Sequence, residues 1–248
     1  MTPMIKPLSV ALLCAVVALP AAAWDGSAGL GLSYVESGYL DADNKVWPYP
    51  ALNIESDHFY LHGFEAGAYL LKTDRQRVTL GISYMPLQFD PDDSDNANVK
   101  KLDKRDGSAF ANLGYSIRGD WGMVMASVSA DISGESDGFM SDVSYLKRFS
   151  FGEWGVTPQV GLNWTSDKFN EYYFGVSKSE AARTGFKEYT PDGSVSPYFR
   201  VLADWQFDNH WSFFAETSVR LHSDEVKDSP IMDKDTMTSI GCGVSYHF

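Results

Sequence analysis

The chain has 248 residues, 33 of them acidic against 20 basic, for a formal net charge of −13, and aromatics make up 14% of it. That balance excludes a nucleic-acid surface, which needs clustered Lys and Arg. Two cysteines, Cys14 and Cys242, are too few for a disulfide framework.

Residues 1–23 read as a secretory signal. Lys6 supplies the positive region, Leu8 to Leu19 the apolar core, and Ala21 to Ala23 a small-residue cleavage site near Ala23 and before Trp24. The apolar core is too short for a spanning helix, which needs roughly 20 residues. Removal of this segment takes Cys14 with it and leaves Cys242 without a partner. Residues 24–248 then form one domain, since no linker or fixed-period repeat divides them. No run in that region approaches the length of a transmembrane helix.

Short alternating segments follow one another from there to the end. Residues 28–35 place Ala28, Leu30, Leu32 and Tyr34 on one face, the period-two pattern of a strand between two unlike environments. Residues 46–54 alternate likewise, but Pro48 and Pro50 remove ladder donors, so this strand must be irregular or partly unpaired. Residues 58–71 are aromatic-rich and alternate poorly. Residues 78–87 set Val78, Leu80, Ile82 and Tyr84 against Thr79, Gly81 and Ser83. Ala109 to Ile117 and Val124 to Ile132 are two strands joined by a tight turn at Arg118 to Trp121. Phe139 to Phe149, Val156 to Trp164, Phe199 to Phe207 and Phe213 to Leu221 continue the series, the last with Glu216, Arg220 and His222 on its polar face. Ile240, Cys242, Val244, Tyr246 and Phe248 close it, alternating with Gly241, Gly243, Ser245 and His247.

A polar mean composition with abundant aromatics and end-to-end alternation fits an all-β, antiparallel transmembrane β-barrel. There only alternate residues meet lipid, and Trp and Tyr girdle both interfaces. Short links near 72–76, 118–121, 150–153 and 208–210 alternate with long polar ones near 88–107, 166–195 and 223–236. Short periplasmic turns and long extracellular loops are the outer-membrane pattern. Eleven strands can be counted, whereas a single-chain bacterial barrel has an even number. Twelve is expected, the extra one lying in 36–71 or 166–195; ten is the alternative. A soluble periplasmic β protein is the competing class, marked by release without detergent.

Leu102 to Asp106, Asn170 to Ser177, Glu180 to Gly185 and Ser223 to Pro230 resemble segments of the MipA/OmpV family of outer-membrane proteins, in matching order and spacing. Phe174 stands where a third tyrosine is common, and Thr184 where a serine is common. The resemblance implies a monomeric barrel in the Gram-negative cell outer membrane, surrounded by lipid and lipopolysaccharide. It also implies that the barrel-insertion machinery reads a terminal signal at Tyr246 and Phe248. One branch of the family is described as a scaffold linking a lytic murein transglycosylase to a penicillin-binding synthase, and others as porin-like proteins or adhesins. A non-enzymatic scaffold or interaction protein without cofactor or metal is therefore the first expectation, and a narrow channel for small solutes the second. A lipid hydrolase is the third. It needs a serine activated by a histidine, and His222 beside Ser223 on an extended strand would point to opposite faces.

The densest polar material lies in the long loops: Asp103, Arg105, Glu171, Tyr172, Tyr173, Glu180, Arg183, Asp224 and Asp228. These residues either bind a solute or lipid headgroup at the mouth or tie the loops to one another over the lumen. Segment 178–185 has the makings of one helical turn. The acidic run Asp90 to Asp95 resembles a calcium loop but lacks the sixth-position glycine and has Lys101 at the twelfth. A solvated acidic loop is the simpler reading.

Overall fold

The computed structural model describes residues 24–87 and 89–248; the signal segment lies outside the described residues. Thirteen strands form one antiparallel sheet: β1 Asp25–Val35, β2 Lys45–Glu55, β3 Phe59–His62, β4 Glu65–Lys72, β5 Gln76–Met85, β6 Ser108–Gly119, β7 Gly122–Asp131, β8 Phe139–Leu146, β9 Phe149–Phe151, β10 Trp154–Thr165, β11 Ser194–Gln206, β12 Trp211–Leu221 and β13 Thr236–His247. Each pairs with its neighbour in sequence or the next one on, and β13 returns to β1 along Ser27↔His247 through Val35↔Ser239, closing the barrel.

The barrel has twelve staves, because β8 and β9 are one. Both pair with β10 in a single register, Gln159↔Leu146 and Val156↔Phe149. Between them lies Pro158, whose carbonyl accepts Lys147 N but which has no amide to return. The strand missing from the sequence count is in 58–71. That segment is a hairpin, β3 and β4, folded back at Gly63 and Phe64, with Gly63 at φ 55°. The four residues of β3 are too few for alternation to register, and with the eight of β4 following a two-residue turn the sequence shows one blurred strand there.

The sequence-level faces sort as alternation requires. Leu30, Leu32, Ile82, Val128, Leu162 and Ile240 are each more than half exposed, forming an apolar belt on the outer wall. Near the turns, Trp154 and Trp205 stack at 5.4 Å and Trp211 meets Tyr246 edge-on at 5.1 Å, a girdle of the kind that marks a membrane interface. Glycine, serine and charged residues fill the inner face. Gly161 shows why: a Cβ there would lie 2.4 Å from the Tyr198 ring, so the inward tyrosine needs a bare neighbour. No helix among the described residues is long and apolar enough to cross a membrane.

The connections at one end are brief, spanning 56–58, 73–75, 120–121, 152–153 and 207–210. At the other end the stretches 36–44, 86–107, 166–193 and 222–235 are long and folded. They carry α1 Asp167–Phe174, α2 Lys178–Thr184, the single turn α3 Asp224–Lys227, and 3-10 turns at Pro91–Asp93 and Val99–Lys101. The segment around 178–185 is a complete short helix, and it follows a second helix that periodicity did not reveal.

Candidate functional site

The long loops pack into a lid with its own core. Tyr39, Phe89, Val99, Leu102, Phe169, Tyr173, Phe174, Val176, Val226 and Ile231 come from four loops and close around Phe110 at the head of β6. Local signals set the helices. Ser166 caps α1 by accepting the Phe169 amide. Ser177 and Glu180 form a reciprocal capping box on α2, which ends at Gly185 in the left-handed region, φ 80°. α1 then turns Phe169, Tyr173 and Phe174 inward. Asn170, on the same face and fully buried, donates to Asp192 O at 2.7 Å and Ser194 Oγ at 3.0 Å and accepts from Thr165 Oγ1 at 2.8 Å.

Glu180 is the polar hub of the lid. Its Oε1 accepts from Arg105 Nη2 at 2.7 Å and from the Asp103 amide at 3.1 Å. Its Oε2 accepts from the Ser177 amide and hydroxyl at 2.9 and 2.8 Å. Burial by itself would raise this carboxyl, but the hydrogen bonds from Ser177, Arg105 and Asp103 prevail and hold it down at about 2. Arg105 spends its other donors on Tyr172 O, Asp103 O and Gly175 O. Arg183 reaches Asp103 at 2.6 Å. Tyr172 donates to Glu135 and accepts the Asp106 amide, while Tyr173 joins Ser108 Oγ at 2.9 Å and donates to Asp106 O at 3.0 Å.

Asp103, Arg105, Glu171, Tyr172 and Glu180 thus border one shallow hollow of about 920 Å³. Tyr173 lies beneath it in the apolar core, and Arg183 is linked to it through Asp103. Asp224 and Asp228 are elsewhere, the first paired with Lys227 at 2.7 Å and the second ending α3 through its backbone. The acidic run is partly tied down: Asp90 caps the turn Pro91–Asp93, and Asp93 pairs with Lys45. No three His, Cys, Asp or Glu converge on a metal-sized point among the described residues. His222 Nε2 and Ser223 Oγ are both buried without a hydrogen-bond partner there, so the histidine does not engage the serine.

Inside the wall is a second cluster. A cavity of about 320 Å³ is lined by Asp142, Gln159, Tyr198, Arg200, Glu216 and Arg220 among others. Tyr198 OH donates to Asp142 at 3.0 Å; Arg200 pairs with Glu216, which also accepts from Tyr49 OH at 3.0 Å over Gly31 and Gly241 of the intervening strands. Arg220 has no carboxylate within 4.0 Å among the described residues and presents its guanidinium to the cavity. Glu216 and Arg220 are legible in the sequence as inward charges. Asp142, Tyr198 and Arg200 are not singled out there, although Tyr198 and Arg200 alternate with outward Phe199 and Val201.

A closed β-barrel with an apolar belt outside, charges in the lumen and aromatic rows at its rim is an outer-membrane protein. More narrowly, residues 28–248 match the family model of the MltA-interacting protein MipA, and the chain belongs to that family. It is 35% identical over 222 residues to the MltA-interacting protein of Escherichia coli K12, covering 90% of both chains. It is 31% identical over 240 residues to the putative outer membrane protein YiaT of the same organism, covering 95% of this chain and 98% of that one. With OmpV of Vibrio cholerae it shares 29% over 157 residues, 63% of this chain and 61% of that. Among solved structures, the NanC porin superposes with a TM-score of 0.47 at 9% identity, covering 89% of this chain and 100% of that one.

Proposed function

We propose that the protein is a non-enzymatic outer-membrane scaffold, oriented with its lid outward and its short turns in the periplasm. There it would hold a lytic murein transglycosylase, and with it a penicillin-binding synthase. The kinship with the MltA-interacting protein along nine-tenths of both chains carries this reading. The lid supports it, because Asp103, Arg105, Glu180 and Arg183 at the mouth are paired with one another. Binding to murein enzymes would then fall to the turn end, where Asp120, Glu153 and Asn209 stand exposed. Photocrosslinkers at these three positions in intact envelopes should capture a murein transglycosylase. Capture of the insertion machinery alone would overturn the reading.

The cavity beneath the lid favours a second reading, a narrow channel for small polar solutes, since the unpaired Arg220 offers a cation to whatever enters. Planar bilayers should then show conductance steps that shrink or change selectivity in Arg220→Gln. A silent bilayer would remove this reading and leave the scaffold untouched.

A further inference from the structure

The barrel wall is incomplete beside β2. Among the described residues only Asn53, Ile54 and Glu55 of this strand pair with β3, so from Lys45 to Ala51 its far edge has no described strand beside it. At about 3.3 Å per residue that is roughly 20 Å of open edge. Leu52 O accepts the Gly63 amide, which shows that the even-numbered groups of β2 face this edge. Those above Leu52 are Pro50, Pro48 and Val46, so the edge bears three carbonyls and only one amide. On the other bank, Tyr84 N bonds Phe64 O, and the next like-facing position is Pro86. Above, the slot is roofed by a strap in which Ala42 bridges to Ser94 and Asp43 N donates to Asp93 O.

An open sheet edge is not tolerated against hydrocarbon; unpaired backbone at membrane depth must line water or protein. The prolines also remove the donors that another strand would need, so the edge is poor at strand addition. What remains is an acceptor-rich slot. Among the described residues the strap carries Asp41, Asp43, Asp92 and Asp95 without ion pairs; of its cations, Lys45 and Lys104 are paired with Asp93 and with Asp90 and Asp106, and the exposed Lys100 and Lys101 leave the unpaired charge acidic on balance. At the foot, Glu65 accepts Tyr60 OH at 2.6 Å.

We propose that this slot between β2 and the β3–β4 turn is a lateral, water-lined binding site for the ammonium head of a single-chain amphiphile. The Pro48 and Pro50 carbonyls accept its protons while the chain stays in the surrounding leaflet. That this is the outer leaflet rests on the orientation proposed above.

The test uses the full chain in phosphatidylcholine vesicles with Cys242→Ser, since Cys242 is an exposed thiol. Nitroxides are placed at Pro48→Cys and, separately, Pro50→Cys. Controls are Leu32→Cys and Leu30→Cys, the register partners of those positions on β1 and so at matched depth. Collision with a water-soluble nickel chelate should be at least threefold greater at 48 and 50 than at 32 and 30. Equal values would overturn the wet slot, and either proline position suffices if the other variant fails to fold. Dodecylammonium should then slow the labels at 48 and 50, whereas dodecanoate should not. An equal response to both, or none, would overturn the assignment of the head. Maleimide labelling of Lys178→Cys on whole cells tests the orientation separately: inward loops would refute that reading while leaving the collision ratio unchanged.

Discussion

Arg105 Nη2 lies 2.7 Å from Glu180 Oε1, the two side chains being 7% and 3% exposed and 75 positions apart in sequence. A buried ion pair adds little net stability over an apolar pair, but losing one partner strands the other charge and costs about 3–5 kcal/mol. Glu180→Ala should therefore loosen the lid and expose Lys104 and Arg105 to trypsin, while the barrel keeps its heat-shifted band on gels. The double variant Arg105→Met, Glu180→Leu should be cut after Lys104, the site both variants keep, more slowly than the single one. A single variant as resistant as the parent would contradict the pairing.

The lid should weaken in acid in two stages. Burial, reinforced by the nearby Arg220 charge, lowers the His222 imidazole to about 4, below its ordinary 6.5. The unfolded lid thus binds a proton first, and stability falls as the pH drops from about 6.5 toward 4. Glu180 is held at about 2 against an ordinary 4.5, so its contribution is complete above 4.5 and is lost as the pH falls toward 2. Each stage is on the order of 3 kcal/mol. Protease nicking against pH should show both; His222→Leu should flatten the upper stage alone and Glu180→Gln the lower.

Gly185 and Gly175 end the two lid helices for different reasons. A Cβ on Gly185 meets nothing within 4 Å, so Gly185→Ala should cost only the left-handed backbone penalty, about 1 kcal/mol. A Cβ on Gly175 would sit 2.3 Å from Glu171 O, and Gly175→Ala should be the more damaging of the two in lid melting. The reverse order would show that the α1 terminus yields readily.

Phe248 contributes one backbone hydrogen bond, its amide to Gly26 O at 3.1 Å, and its ring is about half exposed. Its deletion should thus change the folded barrel by only about 1 kcal/mol. If the terminus is the assembly signal that the family resemblance implies, outer-membrane yield in cells should drop severalfold while refolding into detergent stays unchanged. Equal losses in both settings would show that Phe248 acts through stability.

The alternation of Leu30, Leu32 and Tyr34 or of Ile240, Val244 and Phe248 is set by the chain alone, because each residue's face follows from its parity and each face has one solvent. The barrel class, most of its staves and the helical segment at 178–185 are legible for the same local reason. Asp103, Arg105, Tyr172 and Glu180 are visible as polar loop residues, but their convergence is not, since Arg105 meets Glu180 only after two loops have packed. The β3–β4 hairpin escaped because the four residues of β3 hold too few periods to show a strand of their own. Pro48 and Pro50 declare an irregular strand, yet which edge they leave bare depends on where β3 stops. Sequence periodicity determined the wall; tertiary contact decided the lid, the lumen charges and the gap, because those depend on which distant segments share a register or a core.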